Sequence, residues 1–218
     1  MSAAIQARSA SNQDLLIFPC NGNALEALDC LGAAFRCIGF VDDTPAKQGA
    51  RVGGLPVLGR AALLEHPQAL VLAVPGGPAS FRSRLQLIAG LDIDPRRLAT
   101  VIHPSARISP LATIGRNVLI MAGVVVTSNA VIDDHVCVLP NTVIHHDAHI
   151  GEGCLIGSNV TVAGGVALGR NSYVGSGSSL KNGIEIGAGA LVGLGSNVLH
   201  RVPPGATVAG NPARSLQQ

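Results

Sequence analysis

The chain has 218 residues, 47% of them hydrophobic, with 27 Gly and only 2% aromatic residues. It is long enough to bury a large core, which excludes intrinsic disorder, but that core has to be built from small aliphatic side chains on a tightly turning backbone. Fifteen Lys and Arg against thirteen Asp and Glu leave a formal charge of +2, and with no basic run and few aromatics to stack on bases the sequence lacks a nucleic-acid footprint, so small molecules or copies of the same chain are the expected partners.

Residues 1–12 are polar and rich in Ser and Ala, lack the apolar stretch of a signal peptide, and are expected to fray. Five cysteines follow at Cys20, Cys30, Cys37, Cys137 and Cys154, an odd number without a C-x-x-C pair. They read as reduced, mostly buried thiols of a cytoplasmic protein with no metal site.

From there to about residue 101, strands and helices alternate. Strands are expected at 14–18, 37–41, 69–74 and near 98–102, and helices at 24–31, near 60–65 and around 79–89, with a loop from Asp42-Asp43 to Pro56. This is the pattern of a small parallel α/β domain of Rossmann-like character. Ligands of such sheets gather at the carboxyl ends of the strands. The first turn there, Pro19-Cys20-Asn21-Gly22-Asn23, has a single glycine, so it is no G-x-G-x-x-G fingerprint and disfavours a nicotinamide dinucleotide. Asp42 and Asp43 end the second strand, twenty residues beyond Gly22. They read either as acceptors for a ribose or base N–H or as an ordinary capped turn. The third turn, Pro75-Gly76-Gly77-Pro78, closes the same crevice, and together the three suggest a mononucleotide pocket.

Residues 102–218 form the second expected domain. From Ile102 to Val198 every sixth residue is Ile, Val or Leu, seventeen in succession, with small or β-branched residues two positions before and glycines recurring just after. A short strand and tight turn repeated every six residues, three to a coil, predicts a triangular β-solenoid with these aliphatics inward and each residue stacked on the one eighteen earlier. The long apolar stretches at 117–132 and 153–169 carry Asn, Ser, Thr and Gly at intervals and are not membrane spans. Of seven histidines, His135, His149 and His200 fall where outward loop residues are expected. His146 lies two residues past the core position Ile144, at a corner, beside Asp147 and below Gly164 one coil on; its column reads Ser128, His146, Gly164, Asn182, His200. An imidazole beside a carboxylate, with a glycine making room above it, suits general-base chemistry.

The α/β domain, the Ile-His-Pro-Ser-Ala entry at 102–106, the unbroken hexads, His146-Asp147 and the terminal Val-Ala-Gly-Asn-Pro-Ala-Arg at 208–214 together resemble the bacterial nucleotide-sugar N-acetyltransferases and related sialic acid O-acetyltransferases, which are left-handed β-helix acyltransferases. The resemblance implies a homotrimer with sites between neighbouring solenoids, coenzyme A along the groove, and a nucleotide-linked amino sugar on the N-terminal domain. It makes His146 the base and Asp147 the residue that raises its basicity. It places Leu155, Ser158, Gly164, Ser176 and Leu194 along acetyl-CoA, Gly210 to Arg214 near its nucleotide, and Cys20 to Asn23, Asp42, Asp43 and Gly76 around the sugar nucleotide. Cys20-Asn-Gly-Asn23 departs from the family's glycine run ending in Gly-His. N-acetylation of a deoxyamino sugar is the first expectation; O-acetylation of a sialic acid or other sugar hydroxyl, and a non-catalytic trimeric scaffold, are the alternatives.

Overall fold

The computed structural model describes residues 12–216, so most of the segment expected to fray lies outside the described residues. The N-terminal part is a five-stranded sheet of β1 (Gln13–Phe18), β2 (Phe35–Val41), β3 (Arg51–Val52), β4 (Leu55–Leu58) and β5 (Leu70–Ala73) in the order β3-β4-β2-β1-β5, parallel except for the β3-β4 hairpin. That hairpin occupies the expected loop. Its turn is Gly53-Gly54, with φ of 57° and 79°, and adjacent positive-φ glycines between short apolar stretches suit a hairpin. Helix α1 (Gly22–Leu28) starts two residues earlier than expected because the Asn21 side chain accepts from the Ala24 amide. Helix α2 covers Ala62–Glu65 and α3 Arg84–Ala89, the latter preceded by a 3₁₀ turn at Phe81–Ser83. Alternation along β1 sends Leu15 and Ile17 to one face of the sheet and Leu16 and Phe18 to the other, so both faces are buried.

The rest is a parallel β-solenoid of seventeen two-residue strands, β6 (Val101–Ile102) to β22 (Asn197–Val198), each pairing with the strand eighteen residues away. They stack into three faces. The first starts with β6 and continues through Leu119, Cys137, Leu155, Tyr173 and Leu191; the second starts at Arg107–Ile108; the third starts at Thr113–Ile114. Two further strands, β23 (Thr207–Gly210) and β24 (Ala213–Ser215), extend the first face.

Fourteen of the seventeen aliphatics, Ile120 to Val198, are buried. The first three depart from expectation: Ile108 and Ile114 are half-buried and Ile102 is 38% exposed, because no coil lies beneath the first. At most corners the third residue past the aliphatic has positive φ. Asn117, Asn129, Asn141, Asn159 and Asn171 fill it, with glycine at most others, His135 once and Asp147 once. Asn, Asp and Gly are the residues that tolerate this conformation.

The outward residues of the first face, Leu119, Cys137 and Leu155, are buried together with Leu15, Ile17, Phe40 and Leu72 of the α/β sheet. The α/β domain therefore lies on this face. Its further contacts fall on the two bordering corners: Ala73 with Asn117, Arg82 with Gly189, and Gly32 against Pro104. Among the described residues no helix is long and apolar enough to cross a membrane.

Candidate active site

The corner between the second and third faces is left bare by the α/β domain, and it carries His146. His146 Nδ1 donates to Asp147 Oδ2 at 2.7 Å, and Asp147 Oδ1 accepts from Asn129 Nδ2 at 3.1 Å one coil below. A carboxylate only accepts, so the proton of a neutral ring sits on Nδ1 and Nε2 is the basic nitrogen. Nε2 has no hydrogen-bond partner among the described residues. The ring lies over Gly164: a Cβ there would be 2.6 Å from Cε1 and from Nε2. The hydrogen bond from His146, then that from Asn129, hold the Asp147 carboxyl below its ordinary value. Asp147 has φ of 58°, so a short acidic side chain does at this corner what Asn does at its neighbours, and carries charge besides. The two side chains are 61% and 56% exposed, open to a substrate arriving from outside.

A second His–Asp pair has its members sixteen residues apart, so only the stacking of coils brings them together. His149, on the third face, approaches Asp133 with Nε2···Oδ2 at 2.9 Å. It has no glycine-lined space above it. His135 is not a surface loop residue but has its side chain only 15% exposed at the corner between the third and first faces, where burial pushes its pKa down. It lines a cleft of about 440 Å³ with Leu85, Ile88, Arg116, Glu152 and Arg170, away from His146.

The residues expected along acetyl-CoA do not form one wall within a single chain. Ser158, Ser176 and Leu194 stack at the corner between the first and second faces, with Ser176 Oγ accepting from the Ser158 amide at 3.0 Å and Leu194 73% exposed. Gly164 belongs to the His146 corner. Leu155 is corrected: it is 4% exposed, on the first face beneath the α/β domain, and presents no surface to a groove. The signal was available as the column at steps of eighteen, Leu119, Cys137, Leu155, Tyr173, Leu191, apolar where the other two faces are mixed. Gly210 ends β23 and Arg214 lies in exposed β24.

In the α/β domain the three turns do converge. Asn21 Nδ2 donates to Val74 O at 3.1 Å, joining the first and third. Asp42 accepts from the Cys20 amide at 3.0 Å, from Lys47 Nζ at 2.9 Å and from the Thr44 amide at 2.9 Å. It is 2% exposed, so the expectation that it faces a ribose is corrected: its carboxylate organises the crevice from inside. Burial pushes the Asp42 carboxyl up, but the hydrogen bonds from Lys47 and Thr44 outweigh this and hold it below its ordinary value. Asp43 is held by Arg60 through two bonds of 2.6 and 2.8 Å. Gly22 is exposed with open space around it, Asn23 is half-buried, and Gly76 takes φ of 101°.

The family model for bacterial transferase hexapeptide (six repeats) matches residues 111–146 and 147–182. No curated protein matches the chain. Among solved structures, the acetyltransferase domain of PglB from Neisseria gonorrhoeae FA1090 is 30% identical over 94% of this chain and 100% of that one, with a TM-score of 0.81, and is also known with acetyl coenzyme A. PerB from Caulobacter crescentus, in complex with CoA and GDP-perosamine, is 28% identical over 97% of this chain and 100% of that one, with a TM-score of 0.83. WeeI from Acinetobacter baumannii AYE, at 23% identity over 94% and 100% and a TM-score of 0.81, shares the fold. With its unbroken hexads, its N-terminal α/β domain and these likenesses over nearly its whole length, the chain belongs to the bacterial nucleotide-sugar N-acetyltransferases of the left-handed β-helix, hexapeptide-repeat acyltransferase family.

Proposed function

We propose that the protein transfers an acetyl group from acetyl-CoA to the amino group of a nucleotide-linked deoxyamino sugar, with His146 as general base. The observation that carries this is the His146–Asp147 pair: the 2.7 Å bond fixes the tautomer, the missing side chain of Gly164 makes room for the ring, and Nε2 has no hydrogen-bond partner among the described residues. The bound thioester supplies an electrophilic carbonyl carbon. His146 Nε2 accepts the proton of the attacking amine, Asp147 steadies the imidazolium, and the same nitrogen can return the proton to the departing thiolate. PerB, known with CoA and GDP-perosamine, supports the substrate class.

The site is built between copies. The α/β domain occupies the first face and its borders, whereas His146 stands on the opposite edge of the prism. A sugar nucleotide held at the turns of one chain reaches a His146 most directly on a neighbouring chain, which supports a trimer packed through the second and third faces and a coenzyme groove formed by Ser158, Ser176 and Leu194 of one copy against Gly164 of another. Residues 1–101 would bind the nucleotide and 102–218 the coenzyme.

The test measures CoA release with GDP-, UDP- and dTDP-linked amino sugars for wild type and His146→Ala. Turnover should fall by about 10²- to 10⁴-fold in the variant, with trimer and coenzyme binding unchanged. A fully active His146→Ala, or acetylation of a sugar hydroxyl in preference to every amine, would overturn the proposal.

A further inference from the structure

Arg84 opens α3 and is 1% exposed, the bulkiest of the fully buried side chains among the described residues. A buried guanidinium ordinarily faces a carboxylate. This one has no salt bridge among the described residues and is spent on three backbone carbonyls instead. Nε donates to Gly153 O at 3.1 Å, Nη2 to His135 O at 2.6 Å, and Nη1 to Pro75 O. The titratable groups facing it are the thiols of Cys137 and Cys154 and the imidazole of His135. Carbonyl dipoles satisfy its donors but cancel only part of its charge, and a guanidinium stays protonated at neutral pH.

The same side chain shapes the third turn. A Cβ on Gly76 would lie 2.6 Å from Arg84 Cγ and 3.0 Å from Cδ, so the aliphatic stem of Arg84 fills the space that any other residue at position 76 would claim. Pro75 is bonded to the guanidinium and Gly76 rests on the stem, so the turn that closes the crevice is seated on a buried, uncompensated cation. That cation is also anchored to two successive solenoid corners, at His135 and Gly153.

We propose that Arg84 is a positioning residue for the sugar nucleotide: it seats the turn at 75–78 on the solenoid, and its unpaired charge biases the adjoining crevice toward a diphosphate over a neutral nucleoside. This deepens the functional proposal and rests on its placement of the nucleotide in that crevice.

Calorimetric titration of the full chain with guanosine and GDP, uridine and UDP, and thymidine and dTDP tests it, with CoA as a control ligand. Arg84→Gln keeps donors for the carbonyls and loses the charge; Arg84→Lys keeps the charge and loses the fork. Wild type should prefer a diphosphate to its nucleoside. That preference should shrink about tenfold in Arg84→Gln and survive in Arg84→Lys, with CoA affinity unchanged in both. If Arg84→Gln weakens nucleoside and diphosphate equally, Arg84 is a structural clip and the proposal falls. If Arg84→Gln does not fold, Arg84→Lys decides alone, because loss of the preference there would also overturn it. Wild-type binding with an unaltered preference in Arg84→Gln sinks this inference only, whereas a wild type that binds none of the diphosphates removes the nucleotide-site reading and this inference with it.

Discussion

Replacing Gly164 by alanine would put a methyl group 2.6 Å from both Cε1 and Nε2 of His146. Carbon contacts are comfortable near 3.5 Å, so the ring has to retreat by about 1 Å or swing away. Either movement breaks the 2.7 Å bond from Nδ1 to Asp147 and with it the orientation of Nε2. The backbone tolerates the change, since Gly164 is not among the positive-φ residues. Stability should scarcely respond, because His146 and Asp147 are both more than half exposed and such pairs contribute little. Catalysis should respond strongly, since a displacement of about 1 Å at a reacting group costs on the order of 10²-fold in rate. The assay is continuous detection of released CoA thiol at saturating acetyl-CoA, with His146→Ala setting the floor, and calorimetric melting as the control. Turnover within about twofold of wild type, at an unchanged melting temperature, would refute the placement of the base over Gly164.

Leu155→Ala should destabilise the protein by about 2–5 kcal/mol, as expected for a buried leucine, while leaving the KM for acetyl-CoA unchanged; a raised KM without loss of stability would return Leu155 to the coenzyme groove. Asp42→Asn should cost about 1–3 kcal/mol at pH 7, since Lys47 and the Cys20 and Thr44 amides lose an ionised partner. The folded pKa of Asp42 lies below its ordinary value, so its stabilisation is complete above about pH 4 and is lost as pH falls through the lower folded value; urea unfolding should therefore be less acid-sensitive in the variant, and superimposable profiles would refute this role. Asp147→Asn should keep its melting temperature, because Asn holds the same positive-φ corner elsewhere, yet lose turnover to a smaller extent than His146→Ala; a lowered melting temperature would show that the carboxylate serves the fold.

The hexad register was legible to the residue because a two-residue strand with one inward side chain leaves only one position per repeat to be read, and the pairing at steps of eighteen follows from three sides to a coil. The α/β alternation was legible too. The hairpin at Arg51–Leu58 escaped, since its strands are two and four residues long and its only local mark is Gly53-Gly54. His146 beside Asp147 could be named from sequence because adjacent residues at a corner share one turn. His149 and Asp133 could not, because they meet only when one coil is laid on the next.

What the sequence determined by itself is whatever a local period controls: which side chains point into the prism, which residues take the corners, and therefore where an imidazole and a carboxylate can share a turn. What only the tertiary structure decided is which of the three faces is covered. Leu155 and Ser158 are three residues apart, yet one is sealed beneath the α/β domain and the other stands on a corner, and Asp42 turned inward once Lys47 and the Cys20 amide were brought to it. Burial and charge pairing depend on what the rest of the chain brings from far away in sequence, and a six-residue repeat carries no record of that.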